Sequence, residues 1–402
     1  MKNNRNISIL FFTLVVMMMG FGMVIPIMPF YIESLGASGT TLGALIAIFS
    51  IMQFIFSPVW GGLSDRYGRK KLLLLGTLGN GISMVLFGLS TQVWMLFVAR
   101  GLAGILSSAT IPTAMAYIAD SSDAKSRGGG MGVIGAAMGL GMVLGPGLGG
   151  WLGEINLSLP FFVAAGLSML SMLLIWILLP ESLHPDKRTV GPRVKGPRWK
   201  MLWQALTGPL GFLMALSFMV FFALANFEGV FGLYAQYRFD YGPKEVGTIM
   251  MVVGIVSVLM QGVMSGPVTR RYGEVRVIRW SLIGSALGFG VMVLAYDMLT
   301  IMLTVGLFVL MNSLLRPAIA SSISLKAGEQ QGAMLGISAS FQSLGRVAGP
   351  LWAGMLIDIN VIYPYLSGGI IMLLIYFASL IWMKVEPRLE EPVQVPAGSE
   401  VL

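Results

Sequence analysis

Apolar residues run along the chain in long blocks rather than in the short alternating patches of a soluble domain. Blocks of about 20 or more mainly apolar residues, the length a spanning helix needs, lie at about 8–32, 41–63, 72–90, 94–119, 129–152 and 158–180. Six more follow at about 206–236, 244–266, 277–296, 299–320, 332–356 and 363–384. Charged residues collect in the short gaps. The pattern predicts an all-α membrane protein with twelve transmembrane helices. The stretch 181–200, ESLHPDKRTVGPRVKGPRWK, is basic, contains Pro and Gly and has no helical period. It reads as a linker between two six-helix halves, 1–180 and 201–385, with 386–402 as a tail. The first block follows Lys2 and Arg5. It is too long for a signal-peptide core and lacks a small-residue cleavage site, so a retained first helix is expected.

Composition fits lipid as the solvent. The 402 residues are 56% hydrophobic and 11% charged, against about 25% charged in a soluble domain. There is too little polar surface to coat a water-soluble globule. Cys is absent and the single His is His184. That excludes disulfide frameworks, Cys/His metal sites, paired-His haem ligation and Cys nucleophiles, and no metal is expected. The net charge of +8 would suit nucleic acid, but its placement says otherwise. On this map 21 of the 26 Lys and Arg residues fall on one side, and only Arg238 and Lys244 fall on the other. An excess of Lys and Arg marks the cytoplasmic side. Both termini and the linker are therefore expected in the cytoplasm, the basic loops are topology signals, and nucleic acid is not an expected partner.

The halves repeat. GGLSDRYGRKK (61–71) follows the second block and GPVTRRYGEVR (266–276) follows the eighth, so Arg66-Tyr67-Gly68 matches Arg271-Tyr272-Gly273 at an offset of 205. Pro112 matches Pro317 at the same offset. Gly141, Gly145, Pro146 and Gly149 in the fifth block match Gly345, Gly349, Pro350 and, slightly displaced, Gly354 in the eleventh at 204. Duplicated halves of this kind place a solute site between them near the midplane.

The loop at 61–71 reads as a gate. Gly61, Gly62 and Gly68 allow close backbone approach, and Asp65 is an acid among the bases Arg66, Arg69, Lys70 and Lys71. A carboxylate is favoured at a helix N-terminus, so Asp65 is expected against one in the facing half, holding one conformer closed. The plainer reading is a solvated turn carrying topology charges. In GMVLGPGLGG (141–150), Pro146 removes a helix hydrogen bond while Gly141, Gly145, Gly149 and Gly150 let a neighbour come close. This predicts a kinked, tightly packed helix suited to rocking.

Charges inside spans are costly and usually face a cavity or a partner. Glu228, in FFALANFEGVFG (221–232), is the clear carboxylate inside a span. Apolar surroundings favour its neutral form, which suits proton exchange; attraction of a cationic solute and simple pairing with an Arg are the alternatives. Arg100 keeps its charge when buried and needs acids, carbonyls or a solute oxygen, unless it snorkels from the end of its span. Arg316 is close enough to a face to snorkel, and Arg346 is deep without an assigned partner. Asp120 is a further candidate.

These segments resemble a known family. GGLSDRYGRKK is similar to the signature loop of the major facilitator superfamily, ARGLAG (99–104) to its helix-4 motif, and GMVLGPGLGG to the helix-5 motif of antiporters among its drug-efflux members. FEGVFGLY (227–234), LLRPAI (314–319), EQQGAMLG (329–336) and GPLWAG (349–354) extend the likeness to multidrug efflux pumps of the NorA/Bmr type, with tetracycline exporters as near cousins. The resemblance implies the major facilitator fold and proton-driven antiport of amphipathic, often cationic drugs across the plasma membrane. It implies no cofactor beyond the proton gradient, and a monomer is expected. Glu228 falls where that group carries its helix-7 acid, and Arg100 on the helix-4 arginine linked to proton coupling. The chain departs at helix 10, where Asn312 and Ser313 precede Leu314, Leu315, Arg316 and Pro317 in place of an acid. The acid of tetracycline exporters early in helix 1 is also missing. A carrier of organic anions or metabolites is the second reading, since three intramembrane arginines face one acid. A membrane enzyme or sensor would need a catalytic cluster or an added soluble domain, and the sequence offers neither.

Overall fold

The computed structural model describes residues 2–121, 127–184 and 199–384. Most of the predicted linker, the tail 386–402 and the topology charges Lys125 and Arg388 lie outside them. Among the described residues twelve helices reach membrane length. In the first half they are α1 Lys2–Ser34, α2 Gly39–Tyr67, α3 Arg69–Gly88, α4 Val93–Ser121, α5 Arg127–Ile155 and α6 Leu159–Leu178. In the second they are α7 Gly211–Phe239, α8 Pro243–Tyr272, α9 Glu274–Met292, α10 Met298–Ala327, α11 Gln331–Ile357 and α12 Tyr363–Trp382. No strand occurs among the described residues. Eleven of the twelve are apolar enough to cross a membrane on hydropathy alone. The exception, α11, carries Gln331, Ser338, Gln342 and Arg346. The predicted seventh span began at 206, but the chain breaks at Gly208-Pro209 and leaves Trp199–Thr207 as a separate short helix.

The face that carries the Arg66–Lys71 loop is the basic face, and the opposite one is the far face. At the basic face α2 turns directly into α3 through Gly68 at φ +103°. Its counterpart Gly273 turns α8 into α9 at φ +80°. Both conformations, with ψ about 150°, cost an L side chain about 1–3 kcal/mol, which explains glycine at the two matching places. The two offsets also have a structural cause. Contacts at the start of α2 repeat at the start of α8 with an offset of 204: a Cβ on Gly43 would collide with Pro350 O, and one on Gly247 with Pro146 O. A π-helical turn at Met260–Met264 then lodges one extra residue in α8, and the loop beyond it matches at 205.

The packing is lopsided between the faces. One apolar core joins the halves and draws on Met23, Ile27 and Phe161 from the first with Phe227, Val230 and Ile249 from the second. The basic-face part of the first half, with Leu10, Leu14, Leu73, Tyr117 and Ile175, forms a separate core of its own. Hydrogen bonds between the halves follow the same division. The Asp358 carboxylate, just past α11, accepts from Gly39 N at 2.7 Å, Thr40 N at 2.8 Å and Thr40 Oγ1 at 2.6 Å. Tyr237 bonds Glu33 nearby. All these contacts lie at the far face, so among the described residues the hydrogen-bonded clamp between the halves is there.

Candidate functional site

Glu228 sits on α7, eleven residues before the far end at Phe239, roughly 16 Å at 1.5 Å per residue. Arg346 sits equally far from the end of α11. Arg316 is eleven residues from the basic end of α10, too deep to be a simple end residue. The three helices bring these residues together. The Arg316 and Arg346 guanidinium carbons stand 4.6 and 4.8 Å from the centroid of one ring, Phe221. Both cations lie within electrostatic reach of the Glu228 carboxylate, though neither makes a direct ion pair with it among the described residues. Phe221 and Glu228 are seven residues apart, and so on one face of α7. Phe221 is buried, Glu228 and Arg316 are half-buried, and Arg346 is exposed. A charge exposed at this depth would cost at least about 3 kcal/mol against hydrocarbon. The open surface is therefore that of a polar passage rather than of a lipid-facing helix.

Arg100 is elsewhere. It is 2% exposed in α4, with its guanidinium carbon 4.9 Å from the Phe49 ring centroid and 6.0 Å from that of Phe87. It does not snorkel from the end of its span, and Glu228 is not among the groups acting on its charge. Its Nε is buried without a hydrogen-bond partner among the described residues. The aromatic faces contribute about 2 kcal/mol each in a desolvated site, against an unmet donor that costs about 1–3 kcal/mol. The structure thus separates the two residues that the resemblance assigns to proton coupling.

The loop at 61–71 forms a network within the first half. Arg69 is 6% exposed. It donates through Nε to Asp120 at 2.9 Å and through Nη1 to Ser64 Oγ at 2.6 Å and Asp65 at 2.5 Å. The Glu181 carboxylate accepts from Arg69 N at 2.8 Å and Lys70 N at 3.3 Å, which caps the start of α3. Asp65 is thus engaged by Arg69 in its own half and not by a helix end of the facing half. Arg66 lies exposed over Tyr67, 5.4 Å from its centroid. At Gly61 the expected close approach is absent: an added Cβ would have nothing within 4 Å. Gly68 does need to be small, since a Cβ there would strike the Glu181 carboxylate.

The glycines of α5 serve two contacts at once. Gly141, Gly145 and Gly149, four apart, face the α1 backbone at Met19, Gly22 and Met23. Gly150 and the Pro146 carbonyl face α8 of the other half at Pro243 and Gly247. In α11 the division recurs, with Gly345 and Gly349 on α7, and Pro350 and Gly354 on α2. Sequence reasoning missed Phe221, Glu181 and Asp358. Asp358 left one signal: it lies 204 residues after Glu154, at the offset of the fifth and eleventh helices. Glu154 likewise approaches the start of α8 at Gly242.

The chain matches the model of the Major Facilitator Superfamily over residues 10–264 and 213–399. It is 33% identical over 376 residues to Multidrug resistance protein 2 of Bacillus subtilis (strain 168), covering 93% of this chain and 94% of that protein. It is 30% identical over 371 residues to Quinolone resistance protein NorA of Staphylococcus aureus (strain MRSA252), covering 91% and 94%. Among solved structures, the nucleoside transporter NupG superimposes with a TM-score of 0.79 at 13% identity, over 94% of this chain and 100% of that one, which speaks to the fold alone. Two related six-helix halves around a polar passage, matched over nearly their whole length, mean that this chain belongs to the Major Facilitator Superfamily and is a multi-pass membrane transporter of small molecules, not an enzyme.

Proposed function

We propose that the chain exports amphipathic drugs from the cell in exchange for protons, by alternating access, with the basic face in the cytoplasm. The observation that carries this reading is Glu228: an accessible carboxylate at mid-depth, in a passage clamped at the far face. Apolar burial opposes its ionisation while the Arg316 and Arg346 charges favour it, so its immediate surroundings decide whether it carries a proton. It holds a proton when the passage opens outward to the more acidic side, and gives the proton up toward the cytoplasm as substrate arrives. The proton gradient is the energy source, and no cofactor takes part. The far-face clamp at Asp358 holds the inward-open state. Rupture of that clamp and closure of the basic face, with Asp65 released from Arg69, complete the cycle. The relatives named for multidrug and quinolone resistance support drugs as cargo.

An imposed pH gradient across proteoliposomes tests this proposal directly. Dye accumulation that follows the gradient and collapses with a protonophore supports exchange, and accumulation indifferent to it refutes exchange. The second reading, a carrier of organic anions, is favoured by one observation, the two guanidiniums beside a single carboxylate.

A further inference from the structure

The charge balance of the passage does not suit a simple cation. Arg316 and Arg346 share the Phe221 ring, at 4.6 and 4.8 Å from its centroid, and the Arg346 charge acts on Arg316. One carboxylate, Glu228, stands against the two of them. The trio is net positive when Glu228 is ionised and more so when it is protonated. Neither arginine has an ion-pair partner among the described residues. Asn312 adds to the pattern. It lies one turn before Arg316 on the same face of α10, is 2% exposed, and its Nδ2 donates to nothing among the described residues. A buried donor one turn from an unpaired guanidinium is half of a hydrogen-bonding arrangement whose missing half is an acceptor with negative charge. The buried Phe221 ring packs against both cations and holds them close to one another.

We infer that Arg316, Phe221 and Arg346 form an anion seat, and that the preferred cargo is an amphipathic zwitterion with its carboxylate on the two guanidiniums and its cationic end at Glu228. Two guanidiniums are well matched to a carboxylate, which accepts from each through short charge-assisted bonds. Phe221 and Glu228 lie two turns apart on α7, about 10 Å along the axis, which suits the charge separation of a drug-sized molecule. The arrangement also keeps exchange intact. A purely anionic solute would neutralise the arginines and favour protonation of Glu228, so that proton and cargo moved together. A cationic group brought to Glu228 by the same molecule instead displaces the proton. The inference rests on the drug-export reading and narrows its cargo.

The test compares a rhodamine free acid with its methyl ester. They share one aromatic cationic body and differ in the carboxylate. Fluorescence anisotropy on the purified full-length protein in nanodiscs, with no pH gradient, gives both affinities. The free acid is expected to bind about 10-fold more tightly or better, the scale of a charge-assisted bond. Arg346→Gln and Arg316→Gln should each bring the ratio near one, while Arg346→Lys retains part of it. Equal or tighter binding of the ester by the parent protein overturns the seat, and that result needs no variant to fold. A preference that survives both glutamine variants overturns the assignment to these arginines. If neither dye binds, the drug reading falls, and the seat with it. Failure of proton coupling alone is seen only in driven transport and leaves these affinities untouched.

Discussion

Removing the Asp358 carboxylate should unclamp the far face. It accepts from two backbone N–H groups at the start of α2 and from the Thr40 hydroxyl, at 2.6–2.8 Å. Helix α2 has its own cap in Ser38, which accepts from Thr41 N, so the helix itself should survive the change. What is lost is the link between halves. Charge-assisted hydrogen bonds contribute about 1.5–3 kcal/mol where buried, and attraction to a helix N-terminus about 0.3–1 kcal/mol. Asp358 is exposed and solvent screens the charge, so we take roughly 2 kcal/mol for the three bonds together. At 1.4 kcal/mol per factor of ten, Asp358→Ala should shift the closed-to-open ratio of the far face about 30-fold. Asp358→Asn keeps one acceptor oxygen and should shift it by less. The chain has no Cys, so spin labels at Thr91 and Ile359, one in each half near the far face, report this distance cleanly by double electron–electron resonance. The long-distance population should grow in the order parent, Asp358→Asn, Asp358→Ala. An unchanged distribution in Asp358→Ala would show that apolar packing alone holds the far face.

Further outcomes follow from the packing. Gly43→Ala meets Pro350 O and Gly247→Ala meets Pro146 O; overpacking of this kind costs about 1–3 kcal/mol, and the same spin-label distance should lengthen, whereas Gly61→Ala should leave it unchanged. Gly68→Ala combines φ +103° with a clash against Glu181 and should destabilise the protein by about 1–3 kcal/mol, read as a lower melting temperature in detergent. A Cys at Lys326, exposed at the basic face, should react with an impermeant maleimide only after cells are opened; labelling of intact cells would invert the topology.

The helices were legible because a membrane imposes one long apolar block per crossing, and because the halves repeat. Where the map slipped, local chemistry prevailed: the Gly208-Pro209 break moved the start of α7 from 206 to Gly211. The depth of Glu228 was legible as well, since a single acid in an apolar block stands out. Its neighbourhood was not. Phe221, Arg316 and Arg346 meet only through the rotation of three helices, and nothing in the spacing of residues far apart in the chain fixes that rotation. Arg69 and Asp120 were both visible as charges, but their pairing required the turn at Gly68 and the approach of α4. Asp358 escaped notice because two of its three partners are backbone N–H groups, which every residue but proline carries.

The most direct test of the central claim is Glu228→Gln in proteoliposomes, measured two ways on one preparation. The substitution keeps the shape and fixes the neutral form. If Glu228 exchanges the proton, pH-driven uphill export of the rhodamine free acid is lost, while downhill counterflow of the same dye, which needs only the conformational cycle, persists. If Glu228→Gln exports the dye against its gradient as well as the parent protein does, the carboxylate is not the exchanger, and the anion-carrier reading takes its place.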